Sequence, residues 1–283
     1  MRRLIFIFIF CFLLKDAFAQ YLLKQNIYYE DMNYYNPSIS FSDTSRVYHA
    51  AFYTKYKFLT SSIYSEKPYD FYTSFQGLTQ DGFGHFVAGF SYDGYSFFDR
   101  YLLFGGYGYK WNFNKHYLGI GARLLFQFDV VNWNKLSVSH YVGQKMFVLP
   151  DFDIGLNYRW KGLKLGLSVK NVLAIGERVD KTILLKNRRT FFTNISYDFL
   201  LSNIKIAPFI LFSYDSELDL DIGVFTEWFN YAKVSYIFRA KELRHIFILG
   251  GELPFFGLCL DAAFDFSSLI CDKNIDIRLG YRF

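Results

Sequence analysis

Cysteine, proline, methionine and tryptophan are all scarce in this chain of 283 residues, with counts of three, five, three and four. Each shortage excludes something. Three cysteines cannot make the dense disulfide framework of a small secreted scaffold. One of them, Cys11, lies inside the first apolar run and lacks the small residues that a lipid-attachment site places before it. The other two, Cys259 and Cys271, sit most of a strand apart if residues 255–266 and 274–283 form a hairpin. That separation is on the order of 25 Å at ~3.3 Å per residue, against the ~6 Å between Cα atoms that a bridge tolerates, so two free thiols are expected. Five histidines, His49, His85, His116, His140 and His245, do not cluster with either cysteine, and no metal site is expected. No charge run or low-complexity linker divides the chain. After residue 20 no apolar stretch reaches the length of a spanning helix.

What the chain has instead is aromatic character, 22% of all residues and almost wholly Tyr and Phe, dispersed rather than concentrated. At the start, Arg2 and Arg3 precede an apolar run over residues 4–14, and Ala17-Phe18-Ala19 presents small residues where a signal peptidase cuts. Residues 1–19 therefore read as a signal peptide, with the mature chain beginning at Gln20. At the end, Ile275, Ile277, Leu279, Tyr281 and Phe283 alternate with Asp276, Arg278 and Arg282. Such a strand turns one face to lipid and one to water, and this ending is a barrel-assembly signal of outer-membrane proteins.

The same period of two runs through the chain. Tyr48, Ala50, Phe52, Thr54, Tyr56 and Phe58 alternate with His49, Lys55 and Lys57, and Leu118, Ile120, Ala122, Leu124, Phe126 and Phe128 alternate with Gly119, Gly121, Arg123 and Gln127. Segments of this kind fall near 47–58, 68–76, 83–92, 101–111, 117–128, 152–160, 163–173, 190–199, 204–214, 218–228, 231–239, 245–253, 255–266 and 274–283. The fold class expected is all-β: a closed antiparallel transmembrane β-barrel of about 14 strands, with short periplasmic turns and longer extracellular loops. Loop lengths agree, because connections after even strands are brief while those at 59–67, 129–149 and 174–189 are long; the tight one at 215–217 is the exception. Trp111, Trp160 and Trp228 fall at the periplasmic ends of descending strands, as an aromatic girdle at the bilayer interface requires. Pro208, inside a strand, is expected to sit at a bulge.

The domain plan is thus 1–19 signal peptide, 20–45 an N-terminal periplasmic or lumenal segment rich in Tyr and Asn, and 46–283 the barrel. The location expected is the cell outer membrane, with outer-membrane lipid and the barrel-assembly machinery as partners. The small positive surplus of charge indicates no nucleic acid. No catalytic residues and no cofactor are expected: Ser137, Ser139 and His140 are near neighbours on one loop, and Asp219, Asp221 and Glu227 are more simply charges on a lumen-facing strand. Lumen-facing Arg123, Arg159, Lys164, Lys170, Lys205 and Lys233 would favour anions if the pore is open, which makes a passive porin-like channel the rival function. Basic residues Lys181, Lys186, Arg188 and Arg189 mark one outside loop, which together with 129–149 offers a binding surface.

Two stretches carry a family resemblance: Met32-Asn33-Tyr34-Tyr35-Asn36-Pro37-Ser38, and Leu149-Pro150-Asp151-Phe152-Asp153-Ile154-Gly155-Leu156-Asn157-Tyr158 followed by Leu163-Lys164-Leu165-Gly166-Leu167-Ser168-Val169. Together with the Pro208 strand and the final Arg278-Leu279-Gly280-Tyr281-Arg282-Phe283, they resemble the PorP/SprF family of outer-membrane proteins associated with the type IX secretion system and gliding motility in Bacteroidetes. Met32, Asn33, Asn36, Pro37, Pro150, Asp151 and Phe152 are the motif positions. The chain departs from the family at Ser38, where alanine is usual, and at Lys55-Tyr56-Lys57-Phe58, where Arg-x-x-Trp is frequent. The resemblance implies assistance in secreting, or holding at the surface, adhesin-like cargo bearing a C-terminal secretion domain, together with other type IX subunits.

Overall fold

Strict alternation leaves each strand with one apolar and one polar face, and the only way to satisfy every backbone group of such a sheet within lipid is to close it on itself. The computed structural model shows that closure; it describes residues 26–28, 32–39, 47–58, 69–79, 82–95, 98–135, 143–179, 182–229, 231–253, 255–268 and 273–283. The expected signal peptide, the loop at 59–67, Ser137, Ser139, His140, Lys181 and Cys271 lie outside the described residues.

The wall is a closed antiparallel barrel of 14 strands. They are β1 Tyr48–Phe58, β2 Tyr69–Leu78, β3 Gly84–Tyr95, β4 Phe98–Phe113, β5 His116–Asn132, β6 Gln144–Trp160 and β7 Leu163–Lys170. There follow β8 Thr190–Tyr197, resumed after Asp198 as Phe199–Leu201, then β9 Ile204–Tyr214, β10 Leu218–Trp228, β11 Ala232–Arg239, β12 Arg244–Leu253, β13 Leu258–Ser267 and β14 Lys273–Arg282. Every strand pairs with its sequence neighbours, and β14 closes the ring on β1, from His49 opposite Arg282 to Phe58 opposite Lys273. Among the described residues, each of the six short turns at the periplasmic end holds one in the left-handed region: Gly82, Asn114, Lys161, Ser202, Phe229 and Gly257. Gly and Asn occupy such conformations at little cost.

The predicted faces are the observed ones. In β5, Leu118, Ile120, Leu124 and Phe126 are exposed on the outside, while Gly119, Gly121, Arg123, Leu125 and Gln127 are buried inside. In β14, Asp276 and Arg278 are buried while Ile277, Leu279 and Tyr281 are exposed.

Three expectations need correction. The segment 129–149 is loop only in part: β5 runs to Asn132, a short 3-10 turn spans Trp133–Lys135, and β6 starts at Gln144. The segment 174–189 contains a hairpin of its own, Gly176–Val179 against Thr182–Lys186. Pro208 sits at no bulge, because β9 keeps one unbroken register with β10, Ala207 opposite Phe225 and Pro208 opposite Val224. On its other side the register is the same above and below (Ser196 opposite Phe209, Phe199 opposite Ile206), and β8 merely lapses at Asp198. A strand that stops pairing where the partner has no N–H loses no hydrogen bond there.

Candidate functional site

Residues 26–28 and 32–39 lie inside the barrel, against inward-facing side chains of most of its strands. Locally they make a tight knot: Met32–Tyr34 forms a 3-10 turn, and the amides of Tyr35 and Asn36 donate to the Met32 carbonyl at 3.0 and 2.9 Å. Ser38 donates its amide (3.0 Å) and its hydroxyl (2.7 Å) to Asn36 Oδ1. The serine that replaces the usual alanine thus adds a hydrogen bond to the turn. A side chain that caps its own backbone two residues on is what makes Asn-Pro a turn signal.

The knot is held by a cradle on β5, β6 and β7. Asn36 Nδ2 donates to the carbonyls of Leu156 (2.9 Å) and Leu167 (3.2 Å), which face each other across β6 and β7. The approach requires bare backbone. A Cβ on Gly121 would stand 2.3 Å from the Pro37 carbonyl oxygen, and one on Gly155 would stand 2.0 Å from Asn36 Oδ1. From β3, His85 Nε2 meets the Pro37 carbonyl at 3.0 Å. Arg123 donates Nη1 to the Asn33 carbonyl (3.2 Å) and Nη2 to that of Tyr34 (3.0 Å), while Asp153 takes Nη2 at 2.6 Å. Ser168 Oγ donates to the Tyr35 carbonyl at 2.7 Å, and Lys170 Nζ stands 4.0 Å from the centre of the Tyr34 ring.

Around the knot the lumen is filled by rings. Tyr34 packs edge-on against Tyr35 (5.0 Å between centroids) and Tyr72 (5.2 Å), Tyr72 stacks on Phe104 (5.6 Å), and Tyr28 meets Tyr35 and Phe209 at 5.3 and 5.9 Å. With Ile27, Phe192, Ile237 and Ile246 they form an apolar core where a pore would hold water. The remaining end is polar: Asn26 receives Arg239 at 3.5 Å and donates its side chain to Asp265, which also pairs with Arg244.

The cations expected to line an anion path are therefore not a free positive lining. Arg123 pairs with Asp153, Arg159 and Lys164 with Asp198, Lys205 with Glu227, and Lys170 lies on Tyr34. Asp221 is likewise bound to Arg239, and Glu227 to Lys205, so they do not form an acid pair.

The second motif sits higher on β6 and serves a different purpose. Asp151 accepts the amides of Phe152 (2.8 Å) and Leu173 (2.9 Å) on one oxygen and of Ala174 (3.1 Å) on the other. Val172 donates to the Phe152 carbonyl at 2.9 Å. The carboxylate thus gathers the chain as it leaves β7 and ends the β6–β7 ladder, which stops at Ile154 opposite Val169. Asp151→Ala strands the amides of Phe152 and Leu173, while that of Ala174 keeps its 3.0 Å bond to the Asn171 carbonyl; the expected cost is about 2–3 kcal/mol, read from urea unfolding in liposomes with wild-type barrel migration retained.

The other predicted positions are dispersed. Trp111, Trp160 and Trp228 point outward at the periplasmic ends of β4, β6 and β10, and the first two are exposed. Cys259 is buried and unbridged. Sequence reasoning missed the inner-face glycines of the cradle and the Arg123 grip on the knot. A signal was present, since Gly119, Gly121, Gly155 and Gly166 all fall where lumen-facing side chains are due.

A closed antiparallel barrel with lipid-type outer and polar inner faces defines an outer-membrane β-barrel protein. The solved structures it resembles have that fold. Omp33 of Acinetobacter baumannii matches with a TM-score of 0.55 at 8% identity, over 84% of this chain and 98% of that one. A FadL homologue of Pseudomonas aeruginosa gives 0.56 at 9% identity over 89% and 93%, and the toluene transporter TodX of Pseudomonas putida 0.50 at 9% over 87% and 90%. At such identities the likeness concerns the fold alone. No curated protein matches the sequence. The family model for the type IX secretion system membrane protein PorP/SprF matches residues 17–282, and the chain belongs to that family. It is a family of secretion-associated membrane proteins rather than of enzymes, and it places the chain in the outer membrane beside other secretion components.

Proposed function

We propose that this barrel is a docking platform of the type IX secretion system, which assists the secretion or surface attachment of adhesin-like cargo carrying a C-terminal secretion domain. Gliding motility is the output where the cargo is a motility adhesin. Membership of the PorP/SprF family supports the system; one observation favours a platform over a pore. The lumen is occupied by residues 26–28 and 32–39 of the same chain, packed into an aromatic core. A passive channel is the weaker reading, because five of the six inward cations that would select anions, Arg123, Arg159, Lys164, Lys170 and Lys205, are engaged with carboxylates or rings. The motif residues Met32, Asn33, Asn36 and Pro37 then hold the lumen shut, Pro150, Asp151 and Phe152 shape its outer rim, and the three tryptophans and the alternating last strand seat the barrel in lipid.

Quantitative proteomics of culture medium and shaved cell surface, native strain against a deletion of this gene, tests the proposal. Selective loss of one or a few large proteins with C-terminal secretion domains is expected. An unchanged surface proteome contradicts it.

A further inference from the structure

The strands of this barrel are of two heights. β4, β5 and β6 hold 16, 17 and 17 residues, whereas the rest hold 8 to 12. Spanning a bilayer takes about 9–11 residues, so the three tall strands continue outside it as a flap. Their other ends, at the periplasmic surface, carry an outward row of rings. Phe113 of β4 is opposite His116 of β5, and His116 is opposite Trp160 of β6. All three are exposed, as is Trp111 above Phe113 on the same face. The His116 ring is stacked on Trp160, with 5° between planes and 6.0 Å between centroids, and its Nδ1 meets the Tyr158 hydroxyl at 2.7 Å. With that hydroxyl donating, the imidazole carries its proton on Nε2 and keeps one donor in hand.

Two cations flank this row. Lys115 immediately precedes His116 and Lys161 immediately follows Trp160, so the pairing of those two residues brings the lysines to neighbouring strand ends. Both lysines are exposed, and Lys161 Nζ stands 4.9 Å from the centre of the outward-facing Trp160 ring. Among the described residues neither is paired with a carboxylate. Asp198, whose amide donates to the Gly162 carbonyl, is taken up on the lumen side by Lys164 (2.8 Å) and Arg159 (3.8 Å). The outward faces of β4, β5, β6 and β7 hold no acid at this end. Nor do the described residues of the other four short turns include a lysine or arginine. The two cations are therefore concentrated at the foot of the tall strands, at the depth where the tryptophan girdle meets the headgroups.

We propose that Lys115, His116, Trp160 and Lys161, with Trp111 and Phe113, bind the headgroup of an anionic phospholipid in the periplasmic leaflet. The ammonium groups and the imidazole N–H take the phosphate, and the rings receive the first carbons of the acyl chains. Charge selects the lipid. A zwitterionic headgroup balances its phosphate with its own ammonium, whereas an anionic one leaves a net charge for the lysines to meet. The bound lipid fixes the depth of the barrel on the side that reaches furthest outside, as a clamp at the foot of the flap. This site is independent of the platform function and needs neither cargo nor another secretion subunit.

Tryptophan fluorescence of the full-length protein in liposomes tests it. The quenchers are phosphatidylglycerol and phosphatidylcholine, each carrying a nitroxide near the headgroup end of one acyl chain. One variant keeps only Trp160, with the other three tryptophans replaced by Phe; a second keeps only Trp228, which has no lysine or arginine in the turn that follows it. Trp160 is expected to prefer phosphatidylglycerol over phosphatidylcholine about fivefold, and Trp228 to show almost no preference. Adding Lys115→Gln/Lys161→Gln, with barrel folding checked by heat-modifiable migration, should bring Trp160 to the Trp228 value. Equal preference at the two tryptophans, or a preference at Trp160 that survives in the folded double variant, overturns the site. Relief of the quenching by inorganic phosphate would assign the cluster to a free anion and overturns the lipid site as well.

Discussion

Arg123→Ala is expected to lower the unfolding free energy of the barrel by about 3–5 kcal/mol, the usual penalty for removing one partner of a buried ion pair. The side chains of Arg123 and Asp153 are 2% and 0% exposed, and their bond is 2.6 Å. The guanidinium also holds the carbonyls of Asn33 and Tyr34 and lies 5.1 Å from the Phe104 ring centre. Alanine leaves a buried carboxylate with one amide donor, from Asn171, and frees two carbonyls of the knot. The double variant Arg123→Met/Asp153→Leu removes both charges and should recover more than half of the loss. Urea-driven unfolding in liposomes, followed by tryptophan fluorescence, reads both. A loss under about 1 kcal/mol for Arg123→Ala would mean that the lumen is wet enough to solvate the carboxylate.

Gly121→Val should be nearly as damaging for a different reason. Its Cβ would lie 2.3 Å from the Pro37 carbonyl oxygen and 2.6 Å from the Ser38 nitrogen, both main-chain atoms of a turn held on all sides. Overpacking costs about 1–3 kcal/mol, and ejecting the knot adds the hydrogen bonds of Asn36, so about 3 kcal/mol in all is expected. Residues 32–39 should then become cleavable by protease added to the detergent-solubilised barrel. Gly105→Val is the matched control: it lies in the adjoining strand, opposite Leu124 on the outer face, with nothing within 4 Å of its Cβ. It should change stability by less than about 0.5 kcal/mol. Equal effects at the two positions would contradict the cradle.

The wall of the barrel was legible because lipid and lumen impose opposite polarity at a period of two, and every spanning strand carries that mark. The flap was not, because the mark disappears there. Above the bilayer, Phe147, Leu149 and Val131 are apolar on the inner face while Met146 and Val148 are apolar on the outer one, so alternation fails and the stretch reads as loop. Pro208 misled for a related reason: proline shows that one hydrogen bond is missing, but not that the neighbouring strand lapses at Asp198 to match it. The inward cations were placed on the right face, but their partners come from other strands and from the N-terminal knot, and no local pattern reports pairing at such separation. The Asn-Pro turn was visible as a turn, in a segment expected in the lumen or the periplasm; the cradle it rests on was not, since glycines 119, 121 and 155 acquire meaning only when β5 and β6 lie side by side.

Planar-bilayer recording of the purified full-length protein, beside a variant lacking residues 21–40, tests the closed lumen most directly. The full-length barrel should give no steady large conductance, and the truncated one should give discrete open steps. Steady large conductance from the full-length protein would contradict the account and make the chain a channel.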